Sequence, residues 1–132
     1  AVDENDPDLT PDRAVAVVRA YYDAVTARRY QEAYKMWEAD GAASGQSLIE
    51  FLNSYAQFRT LQANIGAPGP MGAAAGSRYV EVPVQLQTVN RRGTAATYSG
   101  TITLRRSVVD GATAKQRTWQ IYASKITKQQ PA

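Results

Sequence analysis

The sequence predicts an α+β domain in which helices pack on the apolar face of an antiparallel β-sheet. Apolar residues recur at helical spacing in three stretches of the first half, and they alternate with polar residues in three stretches of the second half. A sheet with one apolar face and one polar face covers its apolar face with helices. The chain has 132 residues, which is enough for one domain around a single core.

Three helices are predicted from apolar stripes and from the residues at their ends. The first begins at Thr10-Pro11, since proline loses no hydrogen bond at the first helical position. The second ends at Asp40-Gly41. The third begins at Ser47, which with Glu50 has the spacing of a capping box. In chain order, the stripes consist of Ala14, Val18, Tyr21, Tyr22 and Val25; of Tyr30, Ala33, Tyr34 and Trp37; and of Leu48, Phe51, Leu52 and Tyr55, with Phe58 as a candidate for its end.

Three long strands are predicted from alternation with a period of two residues. A short strand from Leu61 to Ile65 and a loop from Gly66 to Gly76 precede them. Pro83 lies within the first long strand and cannot donate to a ladder, which predicts an edge position or a bulge. Residues 90–93 predict a tight turn to the next strand. The side chains predicted to face the helices are those of Val80, Val82, Val84, Leu86, Ile102, Leu104, Trp119 and Ile121.

The composition excludes several classes of chemistry. The chain contains no His and no Cys, which removes most nucleophile, proton-shuttle and metal-ligand chemistry. Asp3, Asp6 and Asp8 are calcium-type ligands, but the run lacks the glycine turn and the distal glutamate of a calcium loop. We therefore expect no metal and no cofactor. No apolar run is long enough for a transmembrane helix, and no signal-peptide pattern opens the chain.

Charge is distributed unevenly along the chain. Residues 1–40 carry nine acids and five bases, whereas residues 41–132 carry three acids and ten bases. We interpret residues 1–10 as a flexible acidic leader, 11–127 as the domain and 128–132 as a C-terminal tail. The basic residues are scattered over turns and strand ends, which favours a solvated sheet rim over nucleic-acid binding. They are Arg91, Arg92, Arg105, Arg106, Lys115, Arg117, Lys125 and Lys128.

Seven aromatic residues are candidates for the lining of a ligand pocket. Aromatic walls with hydroxyl and indole groups suit a small apolar ligand. The alternative is that these residues fill the core, which an aromatic stripe at helical spacing favours. Asp40 is either a buried base or a turn residue before glycine, and the turn is favoured. The aromatic candidates are Tyr22, Tyr34, Trp37, Phe51, Tyr55, Tyr98 and Trp119.

The polar face of the sheet is the candidate surface for a twofold homodimer. A flat face with Thr and Tyr side chains can bury area without exposing a large apolar patch on the monomer. The candidate residues are Gln85, Gln87, Thr101, Thr103, Gln120 and Tyr122.

Several short sequences resemble the NTF2-like superfamily, which has a cystatin-like fold. They are Tyr22-Asp23 late in the first helix and the residues 30–34 that open the second. Residues 37–45 and 118–122 look like uncharacterised bacterial exported members of that superfamily. The resemblance, which spans residues 11–127, implies a cone of three helices on a curved sheet with a pocket at its mouth, and an outer sheet face that pairs subunits. It also implies a periplasmic or exported location.

The resemblance implies two functional hypotheses, because the superfamily includes isomerases and dehydratases that use acids, Tyr and His in the cone. The absence of His excludes the His-Asp type of dehydratase. An isomerase of the ketosteroid-isomerase-like type, or a lyase, needs an aspartate base, a Tyr and a second, protonated acid. The chain offers Tyr21 or Tyr22 and Asp40, but its predicted strands hold only Glu81, on the outer face. We therefore favour a noncatalytic binding or assembly module of a bacterial exported protein, which holds a small apolar ligand or a protein partner in its cone.

Overall fold

A computed structural model describes residues 10–129. The predicted leader therefore lies outside the described residues except for Thr10, and so does most of the predicted tail. The elements are α1 (Pro11–Thr26), α2 (Tyr30–Tyr34), a 3-10 helix (Ala39–Ser44), α3 (Leu48–Ala56), β1 (Phe58–Ile65), β2 (Gly72–Ala74), β3 (Ser77–Asn90), β4 (Ala95–Ser107), α4 (Ala114–Arg117) and β5 (Gln120–Lys128). This order of helices followed by an antiparallel sheet confirms the predicted α+β class.

The strands form one antiparallel sheet in the spatial order β1-β3-β4-β5, and β2 pairs with β3 beyond the end of β1. The core lies between the helices and one face of this sheet, which we call the inner face. All eight side chains predicted to face the helices are buried there, so that prediction is confirmed. Within residues 10–129, no helix is long and apolar enough to cross a membrane.

The helix starts follow the predicted end signals. Pro11 occupies the first turn of α1, and the extended Thr10 before it makes no side-chain capping hydrogen bond. At α3 the capping box is complete. The Ser47 hydroxyl accepts from the Glu50 amide at 3.2 Å, and the Glu50 carboxylate accepts from the Ser47 amide at 2.9 Å. This box fixes the start of α3, and so the position of its aromatic side chains.

The second helix is shorter than the sequence predicts, since it ends at Tyr34 rather than at Asp40. The chain then runs alongside the start of β5. The Glu38 amide donates to the Ile121 carbonyl at 2.9 Å, and the Ile121 amide donates to the Met36 carbonyl at 3.0 Å. These long-range bonds replace helical ones, so tertiary pairing overrides the helical pattern of the sequence.

Pro83 lies in an interior strand, because β3 has neighbours on both sides. Its pairing with Thr101 of β4 continues without a shift in register. The Pro83 carbonyl accepts from the Gly66 amide at 2.9 Å on the side of β1, just after β1 ends. A residue of an antiparallel strand directs its N–H and its C=O to the same side. The side of Pro83 that lacks an N–H therefore faces the place where β1 has ended. The predicted edge position is thus met only at this point of β3, which is otherwise an interior strand.

The last strand contains a bulge that the sequence did not predict. Thr103 pairs with Ala123, whereas the next residue of β4, Leu104, pairs with Ile121. Tyr122 is therefore an extra residue on β5. Beyond it the alternation is inverted. A regular strand would place Ala123 on the inner face with Ile121, but Ala123 lies opposite the outward-facing Thr103.

Two short elements were also missed. The strand β2 lies in the stretch expected to be a loop, and α4 precedes the last strand. The N-terminus of α4 carries a capping box of Thr113 and Gln116, so the start signal was present in the sequence. A helix of four residues is too short to show an apolar period, which is why the pattern did not reveal it.

Candidate functional site

The interior of the domain is a cluster of aromatic side chains from α1, α3 and the segment after α2. Tyr21 and Tyr22 contact edge to face with ring centroids 5.0 Å apart, and Phe51 and Tyr55 do so at 5.2 Å. Trp37 reaches the cluster with its indole N–H. These rings fill the space between the helices and the inner face, which is the space that a ligand in a cone would need.

Two hydroxyl groups of this cluster, those of Tyr21 and Tyr55, bond to each other. The Tyr21 and Tyr55 oxygens are 3.0 Å apart, and the Trp37 Nε1 donates to the Tyr21 hydroxyl at 3.2 Å. Burial raises the pKa of Tyr21 and of Tyr22 well above the usual value, and the nearby Tyr55 raises both further. Burial likewise raises the pKa of Tyr55. At neutral pH these hydroxyls are therefore protonated, so they can donate hydrogen bonds but cannot act as bases.

The structure gives the seven predicted pocket residues different positions. Tyr22, Trp37, Phe51 and Trp119 are buried, whereas Tyr34, Tyr55 and Tyr98 are half-buried. Each half-buried ring has a partner of its own. The Tyr34 hydroxyl donates to the Gln46 carbonyl at 2.7 Å, and the ring of Tyr98 packs on Phe58 at 5.8 Å.

Tyr34 also explains the backbone at the end of the second predicted helix. Gly41 has a φ of 107°, and a β-carbon there would overlap the Tyr34 ring. Only glycine avoids both problems. Gly41 is therefore needed both for the turn that the sequence predicts at Asp40-Gly41 and for the close packing of the Tyr34 ring.

Two of the seven candidates reach the surface in grooves. Trp119 lines a groove of about 310 Å³ whose other walls include Arg13, Lys35 and Lys115. Tyr55 lines a groove of about 260 Å³ near the start of β1. The seven residues therefore do not share one cavity, and the packing interpretation accounts for most of them.

Asp40 lies on the surface and not in the aromatic interior. It is exposed, it has a positive φ of 54°, and its carboxylate accepts a short hydrogen bond from the Lys115 Nζ. That bond and the charge of Lys115 lower the pKa of Asp40, and the charge of Lys35 lowers it further. An exposed carboxylate with a lowered pKa is a weak base, because a raised pKa near the working pH is what proton abstraction requires.

No other acid takes its place in the interior. Among residues 10–129, every Asp and Glu is exposed except Glu38, which is half-buried. In the same part of the chain no group of three metal-ligating side chains lies together. The interior thus offers hydrogen-bond donors without a base.

Arg106 occupies the inner face, which corrects its assignment to a solvated rim. Its side chain is only 1% exposed, and its guanidinium lies over the Trp119 ring at 5.5 Å from the ring centroid. The inner face of β4 carries Ile102, Leu104 and Arg106, because alternate side chains of a strand point to the same face. Arg106 therefore takes the next inward position after the last apolar residue. The position of Arg106 at the end of the apolar alternation could have indicated that it points inward. It was assigned to the rim because arginine is usually exposed.

The opposite side of the sheet, the outer face, is polar and contains an arginine and tyrosine cluster. Arg105 Nε donates to the Glu38 carboxylate at 2.8 Å, and its Nη2 contacts the same carboxylate. The guanidinium lies 4.3 Å from the centroid of the Tyr122 ring, and Tyr122 packs edge to face on Tyr79. The bond to Glu38 raises the pKa of Arg105, so this residue keeps its charge at every relevant pH.

Five of the six predicted dimer residues lie on this outer face with solvent contact. Gln85 and Gln87 are exposed, Thr101 and Thr103 are half-buried, and Tyr122 is 41% exposed. The sixth, Gln120, is only 9% exposed, because the segment of Met36 to Glu38 pairs beside it. Gln120 therefore offers little surface to a partner. No pattern in the sequence indicated that the segment of Met36 to Glu38 pairs there.

Comparison with known proteins identifies the fold. No family model and no curated protein matches the sequence. A solved nuclear transport factor 2 (NTF2-like) superfamily protein from Salmonella enterica serovar Typhimurium superposes with a TM-score of 0.60 at 11% identity, covering 92% of this chain and 91% of that one. The Kfla4162 protein of Kribbella flavida superposes with a TM-score of 0.58 at 11% identity, covering 89% and 90%. The chain therefore has the NTF2-like fold, as its sequence resemblance implied.

Proposed function

We propose that this chain is a noncatalytic binding or assembly module of a bacterial exported protein, and that it forms a homodimer through its outer face. One observation carries the proposal. The space in which a cone would hold a substrate is occupied by the chain's own aromatic side chains, and the acids of residues 10–129 lie outside it. The exported location rests on the sequence resemblance alone.

The alternative, a ketosteroid-isomerase-like isomerase or a lyase, lacks one of its parts. Proton abstraction needs a base beside the reacting carbon and a donor for the charge that develops. The Tyr21, Tyr22 and Tyr55 hydroxyls supply donors with raised pKa values. No carboxylate of the described residues stands near them, since Asp40 is bound to Lys115 at the surface. We therefore favour binding over turnover.

The outer face supports association through side chains that are already held in place. Arg105 is fixed by two contacts to Glu38, and Tyr122 is fixed between Arg105 and Tyr79. Tyrosine and arginine dominate the energetics of protein interfaces, and ordered side chains lose little entropy on binding. Thr103 lies beside this cluster on β4, so a contact between two copies would bury it.

The dimer is tested by a charge placed at the centre of the outer face. We expect Thr103→Lys to convert a dimer into a monomer in sedimentation velocity at micromolar concentration, because two copies would bring like charges together. The matched control is Asn53→Lys on the exposed side of α3, which should leave the dimer intact. A wild-type protein that is monomeric at high micromolar concentration would remove the homodimer from the proposal.

The absence of catalysis is tested with a panel of enolisable and dehydratable small molecules. We expect no turnover by the wild type, and binding of any panel member should be unchanged in Asp40→Asn. Turnover that disappears in Asp40→Asn would reverse the choice between the two functional classes.

A further inference from the structure

The strand β1 forms an open edge of the sheet. It pairs with β3 on one side only, from Thr60 to Ile65, and β2 joins β3 beyond the end of β1. At the opposite edge, the segment of Met36 to Glu38 covers the start of β5 through two backbone hydrogen bonds. No helix or loop of residues 10–129 forms a backbone hydrogen bond of this kind with residues 60–65 on their outward side.

The register fixes which backbone groups of β1 point outward. The Gly66 amide donates to the Pro83 carbonyl, so these two residues form a hydrogen-bonding pair. Such pairs alternate along an antiparallel ladder. Asn64 and Gln62 therefore bond to Gln85 and Gln87, and the residues between them point away from β3. The outward N–H and C=O groups are those of Leu61, Ala63 and Ile65.

This edge lacks the features by which proteins usually block strand addition. Proline, inward-pointing charges and bulges prevent an added strand from pairing. The register shift of β1 lies between Phe58 and Thr60, and Arg59 lies within it. Both protect only the start of the strand. From Leu61 to Ile65 the strand is regular, uncharged and free of proline.

A groove with a charged wall runs beside the open edge. Its volume is about 530 Å³, and residues 61–65 line one side while Arg19, Asp23 and Thr26 of α1 line the other. The helix residues are spaced by four and three positions, so they form one row about 10 Å long. Leu61 to Ile65 extend over about 13 Å. The row of side chains therefore accompanies the outward backbone groups over most of their length.

We propose that the edge of β1 binds an extended peptide segment of a partner protein as an added strand in this groove. The three outward residues supply the backbone hydrogen bonds, which give affinity without regard to sequence. Arg19 and Asp23 supply the preference: both are exposed, and no ion pair joins either to residues 10–129. The favoured peptide carries an acidic side chain for Arg19 and a basic one for Asp23. This site is separate from the outer face and does not depend on the proposed homodimer.

The probe is a displayed library of random octapeptides, selected on the full chain and then synthesised for affinity measurement. Ala63→Pro removes one outward N–H and keeps the ladder to β3, since proline is tolerated where a strand's N–H faces solvent. We expect selected peptides to bind this variant about tenfold more weakly, because one backbone hydrogen bond and its geometry are lost. Ala63→Ser retains the N–H and is the matched control, with unchanged affinity.

A second variant keeps the test valid if Ala63→Pro does not fold. Arg19→Glu is a surface substitution on α1, and it should weaken peptides with an acid opposite residue 19 and favour their charge-reversed versions. Hydrogen exchange supplies a direct readout of the binding mode. The amides of Leu61, Ala63 and Ile65 should exchange fast in the free protein and slowly with bound peptide.

Three results would overturn the proposal. The first is the absence of any selected peptide that binds, and the second is equal binding to Ala63→Pro and Ala63→Ser when both are folded. The third is a wild-type dimer that Ala63→Pro dissociates, which would assign the edge to a second copy of the chain. Loss of the dimer in Thr103→Lys, or its absence in the wild type, affects only the outer-face proposal.

Discussion

The strands β3, β4 and β5 contribute to both faces of the sheet, yet the side chains on the two faces have opposite surroundings. On the inner face, Val82, Leu104 and Ile121 are fully buried against the helices. On the outer face, Gln85 and Tyr122 meet solvent. The inner side chains are covered by other residues of the same chain. The outer side chains still have solvent-exposed area that a second molecule could contact. The difference teaches that stability and recognition are separated by the alternation of the strand.

The largest expected effect comes from removing an inner aromatic ring. Trp119→Ala should lower the free energy of unfolding by about 3–5 kcal/mol, because the buried ring leaves a cavity under Arg106. Tyr122→Ala on the outer face is the matched aromatic control and should cost about 1 kcal/mol. Urea denaturation of both variants measures the contrast. An equal loss of unfolding free energy in the two variants would contradict the larger contribution of the inner face to stability.

A smaller effect is expected where the backbone itself is part of the inner packing. Gly100 pairs with Ile126, and a β-carbon at Gly100 would overlap the Lys125 carbonyl of the neighbouring strand. Gly100→Ala should therefore destabilise the fold by about 1–3 kcal/mol. Gly72→Ala in β2 is the control, because nothing lies within 4 Å of its β-carbon position. Thermal unfolding that shifts equally in both variants would contradict the close approach of β4 and β5.

The smallest effect concerns the exposed ion pair of Asp40 and Lys115. The pair lowers the pKa of Asp40 from 3.8, so its stabilisation is present above pH 3.8 and is lost as the pH falls through the lower value of the folded state. Asp40→Asn should therefore flatten the acid limb of the stability curve below about pH 4. Because the pair is exposed, 1 M salt should abolish the difference between the variant and the wild type.

A double variant checks the cause of that pH dependence. Lys115→Gln should flatten the same limb, and the combination with Asp40→Asn should add nothing further, since both changes remove one interaction. Additive effects would show that the two residues act through different partners.

The fold was predictable because its main signals are local. Alternation placed all eight inner side chains correctly, and the Ser47 and Glu50 pair marked a helix start. What the sequence could not show depends on contacts between distant residues. The segment of Met36 to Glu38 leaves its helical pattern to pair with Ile121, and this pairing also buries Gln120.

The candidate site was less predictable than the fold, because the composition of a surface does not reveal its geometry. Aromatic side chains at helical spacing suit a pocket or a core equally well, and only their packing distances separate the two. Arg106 was assigned to the rim because arginine is usually exposed, although its position in β4 placed it inside. The groove along β1 needed the register with β3, which no residue of β1 encodes alone.

The bulge at Tyr122 changes which alternate residues of β5 face the core: odd-numbered residues before it and even-numbered residues after it. Ile121 and Ile126 both approach the core, although they are five positions apart and a regular strand would direct them to opposite faces. Because of this one inserted residue, the short strand β5 contributes both Ile121 and Ile126 to the core. The side chain of Tyr122, which lies between them in sequence, still points outward. A related sequence that lacks this residue would have to exchange every apolar and polar position after it, so an odd spacing between two core residues is itself a sign of the bulge.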